Sequence, residues 1–367
     1  MKINFDSNIR QTFGIALLCL LTLLWSCESE KKESPAKSPR IRKMIQMDSP
    51  KNGGLFEPGA SVPFSFSHRK SASIDSVIIE HEGETLVFTT STFEWSPNIS
   101  QLGNQSIKAT VYAQDVKEVM SPKVRFKSAK APKNYTFRII NTYPHDENAY
   151  TQGLFFLDDN TLIESTGQRG SSSISKLNIQ TGEVVNTVAL DSKYFGEGAT
   201  LWNDKIYQLT WTSQIALVYD QSLNSLQSFN YVGQGWGIAV LEDQLFMSNG
   251  SEKITILDPN DFSEKGSIEA YDENGPVSNL NELEFVNGVL YANVYTTDKD
   301  EIVMINPKNG QVTGRIDFTG IIDRSQYAGF DYVLNGIAWH PDQRLFVTGK
   351  YWPQMFEVEL IEKETNL

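Results

Sequence analysis

Residues suited to chemistry on a small polar substrate recur at two fixed places in a repeated pattern over residues 134–367. In each repeat a turn leads into an apolar strand, and a second strand follows that ends in polar or aromatic residues. The first strands begin with Gln152, Glu197, Trp236, Asn281, Glu282 and Asn335. The second strands end with Glu164, Trp211, Asn249, Tyr295 and Lys350. Carboxylates can move protons, amides and an ammonium can stabilise negative charge, and aromatic rings can form apolar walls.

The spacing of the repeats predicts the architecture that positions these residues. The repeats cover residues 150–167, 195–211, 235–250, 280–295 and 334–350. A period of roughly 40–50 residues with about four strands per repeat is typical of β-propeller blades. Alternation by two excludes a helical solenoid. We therefore predict a five-bladed β-propeller over residues 134–367, with the strand at 136–140 completing the last blade and the listed side chains around one mouth of the channel.

A separate small domain is predicted for residues 43–130. Short alternating segments lie between clusters of Gly, Pro, Asn and Ser, at 61–67, 76–80, 85–89, 107–112 and 123–126. This pattern indicates half-buried antiparallel strands, and the length suits an immunoglobulin-like β-sandwich. The predicted fold class is therefore all-β, a five-bladed β-propeller preceded by a small sandwich that serves as a spacer or docking module.

The N-terminus has the features of an export signal. Lys2 and Arg10 precede an apolar run at 13–25, which is followed by Ser26 and Cys27. This segment resembles a bacterial lipoprotein signal peptide over residues 1–26, with lipidation of Cys27, although the Trp before Ser26 departs from the usual small residue. An ordinary signal peptide that contains Cys27 is the alternative. Residues 27–42 are charged and rich in Ser and Pro, which predicts a flexible tether. We expect an exported protein anchored to a bacterial membrane, on its periplasmic or cell-surface face.

Composition excludes several classes of function. The chain has 32 Lys and Arg residues against 45 Asp and Glu residues, a formal net charge of −13, which argues against a nucleic-acid partner. Two Cys residues cannot build a disulfide framework. The 4 His residues are scattered, so the chain has no HExxH-type zinc motif, and we assign no metal ligands.

Seven short strings carry a family resemblance. They are YPHDENAYTQGL at 143–154, ESTG at 164–167, FGEG at 195–198, GWG at 235–237, LNELE at 280–284, LNGIAW at 334–339 and VTGKYWP at 347–353. In this order they resemble the glutaminyl-peptide cyclotransferases of plant and bacterial type, over about residues 136–360. That family has a five-bladed propeller fold, in agreement with the repeat count. The implied reaction converts an N-terminal Gln to pyroglutamate with release of ammonia.

The resemblance also implies roles for individual residues. Glu197 falls on the carboxylate that acts as general acid and base. The other catalytic positions match Gln152, Asn281 and Lys350, and the substrate-binding positions match Tyr150, Phe195, Trp211, Trp236, Tyr295 and Glu164. Tyr295 stands where a plant-type enzyme tends to have Trp, and Tyr150 stands where Phe is usual, so specificity is in doubt at both. Glu164 and Glu282 are rivals of Glu197 as the base. His145 and Asp146 are interpreted as capping a turn at a blade junction.

Two other functions remain open from the sequence. One is a non-catalytic propeller lipoprotein whose channel mouth binds a ligand, because propellers host many functions. The other is a calcium-dependent, lactonase-like hydrolase, which would use the carboxylates and amides of the mouth as ligands. For the cyclotransferase we expect peptides or proteins with N-terminal Gln as substrates, a monomer, and no cofactor for catalysis. Whether the channel also holds a structural ion is left open by the sequence.

Overall fold

A computed structural model describes residues 43–326 and 331–364 of the chain. The predicted signal, the tether and the lipidation site at Cys27 lie outside the described residues. Strands dominate the described part, where the one helical element is a 3-10 turn at Arg324–Gln326. No helix within the described ranges is long and apolar enough to cross a membrane. The predicted all-β class is therefore confirmed.

The front region, residues 43–130, forms two sheets around one apolar core. Its strands are β1 Ile45–Ser49, β2 Gly54–Phe56, β3 Val62–His68, β4 Ser76–His81, β5 Glu84–Phe88, β6 Thr92–Trp95, β7 Gly103–Ala113, β8 Val116–Met120 and β9 Lys123–Phe126. One sheet has the order β1-β3-β6, and the other has the order β2-β9-β7-β4-β5 with β8 beside β7. Alternate residues of β3, namely Val62, Phe64 and Phe66, are buried in the core, as period-two patterning requires.

The second region starts with β10 at Lys133–Pro144 and continues as antiparallel units, here called units 1 to 5. Unit 1 contains β11 Thr151–Phe156, β12 Thr161–Thr166, β13 Ser173–Asn178 and β14 Val184–Ala189. Unit 2 contains β15 Gly196–Trp202, β16 Lys205–Thr210, β17 Ile215–Asp220 and β18 Ser225–Asn230. Unit 3 contains β19 Ile238–Leu241, β20 Gln244–Ser248, β21 Lys253–Leu257 and β22 Glu264–Glu269.

Units 4 and 5 share a continuous sheet. Unit 4 contains β23 Leu280–Val286, β24 Val289–Val294, β25 Glu301–Ile305 and β26 Val312–Asp317. Unit 5 contains β27 Leu334–His340, β28 Arg344–Gly349 and β29 Gln354–Glu362. Strand β10 is antiparallel to β29, which gives unit 5 its fourth strand as the sequence predicts. The start of β10 also pairs in parallel with β26 of unit 4.

The first strands of the five units contact one another in a closed cycle. Strand β11 packs against β15, β15 against β19, β19 against β23, β23 against β27, and β27 against β11. Glycine allows this close approach. A Cβ atom on Gly153 would lie 2.9 Å from the Gly198 Cα, and one on Gly198 would lie 2.7 Å from the Gly237 Cα. The repeated Gly of the sequence pattern therefore brings neighbouring first strands together.

The front region is docked on units 3 and 4. The side chain of Tyr271, which follows β22, is fully buried within the apolar core of the front region. Asn104 donates its amide hydrogens to the Glu269 carboxylate, and the Ser128 N–H donates to the Asp272 carbonyl over 3.0 Å. Apolar burial and hydrogen bonds thus join the two regions within one compact unit that begins at Lys43 and includes the described residues up to 364.

Candidate active site

A cavity of about 210 Å³ lies where the first strands begin. Its lining residues are Tyr150, Gln152, Phe195, Glu197, Trp211, Trp236, Asn281, Tyr295 and Lys350. All nine belong to the catalytic or substrate-binding set predicted from the sequence. The structure therefore gathers residues from all five units, which are far apart along the chain.

Irregular strand pairing directs the polar side chains toward the cavity. Gln152, Glu197 and Asn281 are each the second residue of a first strand. In every case the antiparallel register shifts at that position. The shift lies between Thr151 and Gly153 for β11, between Gly196 and Ala199 for β15, and between Leu280 and Leu283 for β23. Such bulges re-aim side chains next to functional sites. The remaining lining residues include Trp211, Tyr295 and Lys350, which directly follow β16, β24 and β28.

The expectation that Glu164 binds substrate is corrected by its position. Glu164 lies inside β12, three residues before Gly167, which is the residue that follows the strand. Its buried Oε1 atom accepts hydrogen bonds from the Thr151 hydroxyl over 2.6 Å and faces the His145 Nε2 at 2.9 Å. Glu164 does not line the cavity, because it lies within its strand, whereas Trp211 and Tyr295 directly follow theirs.

Glu282, the second rival carboxylate, also faces away from the cavity. It is buried, and its Oε2 accepts the Ile337 N–H of unit 5 over 3.0 Å. Burial raises the pKa of Glu282 well above its usual range, and the neighbouring charge of Glu284 adds to this rise. Glu282 therefore links two first strands, and Glu197 is the one carboxylate among the nine lining residues.

Glu197 and Lys350 are both buried, and each influences the pKa of the other. Only 4% of Glu197 and 2% of Lys350 are exposed. Burial raises the pKa of Glu197 well above the ordinary range, and the charge of Lys350 opposes the shift. Burial lowers the pKa of Lys350 to about 8, against the charges of Glu197 and Asp331. Both groups therefore exchange protons more readily near neutral pH than their exposed counterparts.

Two aromatic rings hold the Lys350 ammonium. Its Nζ atom lies 4.4 Å from the centroid of the Tyr150 ring and 4.7 Å from the centroid of the Tyr295 ring. A cation over the face of an aromatic ring is attracted by the ring quadrupole, and the attraction grows when water is excluded. The two tyrosines thus form part of the wall and also position the cation.

The amides of the cavity have defined hydrogen-bonding directions. Asn335 donates from Nδ2 to the Gln152 Oε1 over 2.9 Å and to the Thr151 carbonyl over 2.9 Å. This orientation leaves the Gln152 amino group as the donor available to a ligand. The Asn281 Oδ1 is buried and has no hydrogen-bond partner within the described protein. An unpartnered acceptor of this kind is suited to a donor supplied by a substrate.

The aromatic wall is organised by edge-to-face contacts and by one amide. Phe195 stands at 5.9 Å and 89° to Tyr150, and at 5.7 Å and 60° to Trp211. The Gln234 Oε1 accepts the indole N–H of Trp211 over 2.8 Å and that of Trp236 over 3.0 Å. Gln234 thereby fixes the orientation of both tryptophans.

Sequence reasoning missed two residues that support this site, Gln234 and Asp331, and it did not predict the contact of Asn335 with Gln152. Gln234 lies in an exposed loop, Asn335 orients Gln152, and the Asp331 carboxylate lies 3.5 Å from the Tyr295 hydroxyl, its hydrogen-bond donor. Asn335 was visible as a strand-start residue, but its contact with Gln152 depends on the approach of β27 to β11. Gln234 and Asp331 fall outside the repeats, and no sequence signal singles them out.

The arrangement is suited to proton transfer on a small polar substrate with developing negative charge. It offers a shielded carboxylate, a cation, an amide donor and an unpartnered amide acceptor within aromatic walls. The described residues contain no group of three or more His, Cys, Asp or Glu side chains that could hold a metal ion.

The chain is similar in sequence and in fold to known proteins. The family model for glutamine cyclotransferase matches residues 109–360. The chain is 37% identical over 228 residues to a glutaminyl-peptide cyclotransferase of Arabidopsis thaliana, which covers 60% of this chain and 70% of the plant protein. The crystal structure of Myxococcus xanthus glutaminyl cyclase matches with a TM-score of 0.59 and 33% identity, covering 64% of this chain and all of that one. The family match begins within β7, earlier than residue 136, where the resemblance of the motifs begins. Because this match covers more than half of the chain, the chain belongs to the glutamine cyclotransferase family.

Proposed function

We propose that the cavity is the active site in which this glutaminyl-peptide cyclotransferase closes an N-terminal Gln to pyroglutamate, with Glu197 as general acid and base. The observation that carries the assignment is that Glu197 is the one carboxylate among the lining residues and faces a site that also holds Lys350. Ring closure is intramolecular, so the enzyme has to fold the substrate, move protons and stabilise charge.

Glu197 takes a proton from the α-amine as its nitrogen attacks the γ-carboxamide carbon. An α-amine has a pKa of about 8, so part of the substrate is already neutral near that pH. The new C–N bond gives a tetrahedral intermediate with an oxyanion. Glu197 then returns the proton to the departing amino group, the original C–N bond breaks and ammonia leaves. The raised pKa of Glu197 suits both steps, because the carboxyl must hold the proton between them.

Lys350 and Gln152 stabilise the oxyanion. The Lys350 ammonium is held between two rings, and the Gln152 amino group is directed by Asn335. Preorganised donors in a water-poor site are effective in this role because they need no reorganisation during the reaction. Asn281 supplies an acceptor for the substrate amide or amine, since its Oδ1 lacks a partner. Phe195, Trp211 and Trp236 complete the wall around the Gln side chain.

We further propose the finer architecture and its domains. Units 1 to 5 correspond to the blades of a five-bladed β-propeller over residues 134–367, which is supported by the closed cycle of first strands. The two-sheet front region corresponds to an immunoglobulin-like sandwich over residues 43–130. Residues 1–26 act as a lipoprotein signal peptide and 27–42 as a tether from lipidated Cys27. The enzyme is then an exported, membrane-anchored monomer that needs no cofactor for catalysis.

The decisive experiment measures ammonia release from Gln-initiated dipeptide amides, with and without a chelator, together with the mass of the peptide product. We expect ammonia and pyroglutamyl peptide in equal amounts in both conditions. Glu197→Gln should lower kcat by about 10²- to 10⁴-fold, the usual contribution of general acid–base catalysis. Glu284→Gln is the matched control, because Glu284 is a carboxylate of the first strand β23 that does not line the cavity. Full activity of Glu197→Gln would refute the assignment of the base, and loss of activity with chelator would refute metal-independent catalysis.

A further inference from the structure

His145 lies buried at the junction between β10 and unit 1, and acceptors face both nitrogens of its imidazole ring. The Nδ1 atom is 2.5 Å from the Trp352 carbonyl oxygen. The Nε2 atom is 2.9 Å from Oε1 of Glu164. A carbonyl oxygen can only accept a hydrogen bond, so Nδ1 must carry a hydrogen. The proton between Nε2 and Glu164 then decides the charge of the pair.

The surroundings of Glu164 place that proton on the ring. The Thr151 hydroxyl donates to the same Oε1 atom over 2.6 Å. Hydrogen bonds donated to a carboxylate favour its ionised form. The geometry therefore describes a buried imidazolium of His145 paired with an ionised Glu164, since a buried charge needs a partner of opposite sign.

This ion pair joins the two chain segments that carry catalytic groups. On one side, the His145 N–H donates to the Pro353 carbonyl over 3.0 Å, and its ring holds the carbonyl of Trp352. Both acceptors lie in the turn between β28 and β29, which begins with Lys350. On the other side, Glu164 holds Thr151, whose neighbour in β11 is Gln152.

We propose that His145 is a positioning residue, an imidazolium that with Glu164 fixes the turn bearing Lys350 against the strand bearing Gln152. The inference goes beyond turn capping, and it rests on the proposed function for the roles of these two catalytic groups. His145 does not line the cavity and acts through Trp352, Pro353 and Glu164. Lys350 has to stay centred between two rings, so a small displacement of its turn changes the site directly.

The charges around His145 support a stable imidazolium. Burial by itself lowers the pKa of His145, but the charge and hydrogen bond of Glu164, the Trp352 carbonyl and the charge of Asp146 together raise it above its usual value. Glu164 faces the ring from β12, and Asp146 is its neighbour in the chain. Because the pKa is raised in the folded state, the stabilisation is present below the ordinary His value and is lost as pH rises through the raised one.

Nitrogen-15 NMR of the wild-type protein labelled at histidine tests the charge directly. His340 is the internal control, since it is also buried, its Nδ1 accepts the Asp342 N–H over 3.0 Å and its Nε2 faces the Asp159 carbonyl. At about one pH unit above the ordinary His pKa of about 6.5, we expect two protonated ring nitrogens for His145 and one for His340. The His145 signals are assigned by their absence in His145→Gln. A single protonated nitrogen on His145 would overturn the proposal.

Kinetics test the positioning role. We expect His145→Gln and Glu164→Gln each to lower kcat about 10- to 100-fold, the scale for a misplaced catalytic group, with a smaller change in KM. The double variant should lose less than the product of the two single losses, because both act as one unit. His340→Asn should lower the unfolding temperature without changing kcat. Equal kcat for His145→Gln, Glu164→Gln and wild type would overturn the proposal. An error in the proposed function would give a different result. Lys350→Gln would then keep full activity, while the wild-type protein would still show two protonated ring nitrogens for His145.

Discussion

Asn335 donates a hydrogen bond from its Nδ2 atom to the Gln152 Oε1 over 2.9 Å, across the contact between the first strands of units 5 and 1. Asn335 is fully buried, and 3% of Gln152 is exposed. The Gln152 amide can present either its oxygen or its amino group to the cavity. The Asn335 contact selects the amino group, so a donor faces the site of oxyanion formation.

The first prediction follows from this pair. Gln152→Met should lower kcat by about 10²-fold or more, as loss of one oxyanion donor does in other enzymes. Asn335→Leu should lower kcat less, because the Gln152 amide is still present but free to rotate. If Asn335 acts through Gln152, adding Asn335→Leu to Gln152→Met should cause no further loss. Steady-state kinetics of the three variants would contradict this relationship if Asn335→Leu alone were the more damaging change.

Many residues of the candidate site could be predicted, because equivalent positions in the repeats reach the same cavity. Gln152, Glu197 and Asn281 occupy the same second position of their first strands, and the residue after a second strand, as at Lys350, reaches the same cavity. Glu164 was misassigned because a shift of three residues along a strand changes which groups it faces, and short motifs do not define strand ends to that accuracy.

The supporting contacts could not be predicted, because they depend on packing between units. Gln234 contacts Trp211 of unit 2 and Trp236 of unit 3 only when these two units have packed together. The docking of the front region could not be predicted from the sequence either. Tyr271 is an aromatic residue in a loop, and no sequence pattern links it to the front region. In the structure its side chain is nevertheless buried in the core of that region, which precedes it by more than a hundred residues.

The second prediction concerns the pH dependence of kcat at saturating peptide amide. The ionised form of Glu197 accepts the proton, so kcat should rise as pH passes its raised pKa. The protonated form of Lys350 stabilises the oxyanion, so kcat should fall as pH rises through about 8. The profile should therefore be bell-shaped.

Lys350→Arg separates the two limbs. A guanidinium stays charged at every pH of the assay, so the alkaline limb should move upward even though the altered shape lowers the maximal rate. An alkaline limb at the same pH in Lys350→Arg and wild type would show that another group causes it.

The third prediction concerns the docking of the front region. Tyr271→Ala should lower the free energy of unfolding by about 3–5 kcal/mol, the range for removing a large buried aromatic side chain. Tyr271→Phe is the matched control and should behave like wild type, because the ring still fills the core. Denaturant unfolding should show one transition in wild type. Two transitions, of which only the first shifts in Tyr271→Ala, would mean that the front region unfolds independently.

The fourth prediction concerns Gln234 and the aromatic wall. Gln234→Leu removes the acceptor shared by the indoles of Trp211 and Trp236, so both rings gain freedom that substrate binding must remove again. We expect KM to rise by about three- to tenfold, which is about 0.7 to 1.4 kcal/mol of binding free energy, with a smaller change in kcat. Gln234→Glu keeps an acceptor for both N–H groups and should stay near the wild-type KM. Tryptophan fluorescence should change in Gln234→Leu but not in Gln234→Glu. Equal KM values for the two variants would show that the wall keeps its shape without this amide, because packing against Phe195 and Tyr295 would then suffice.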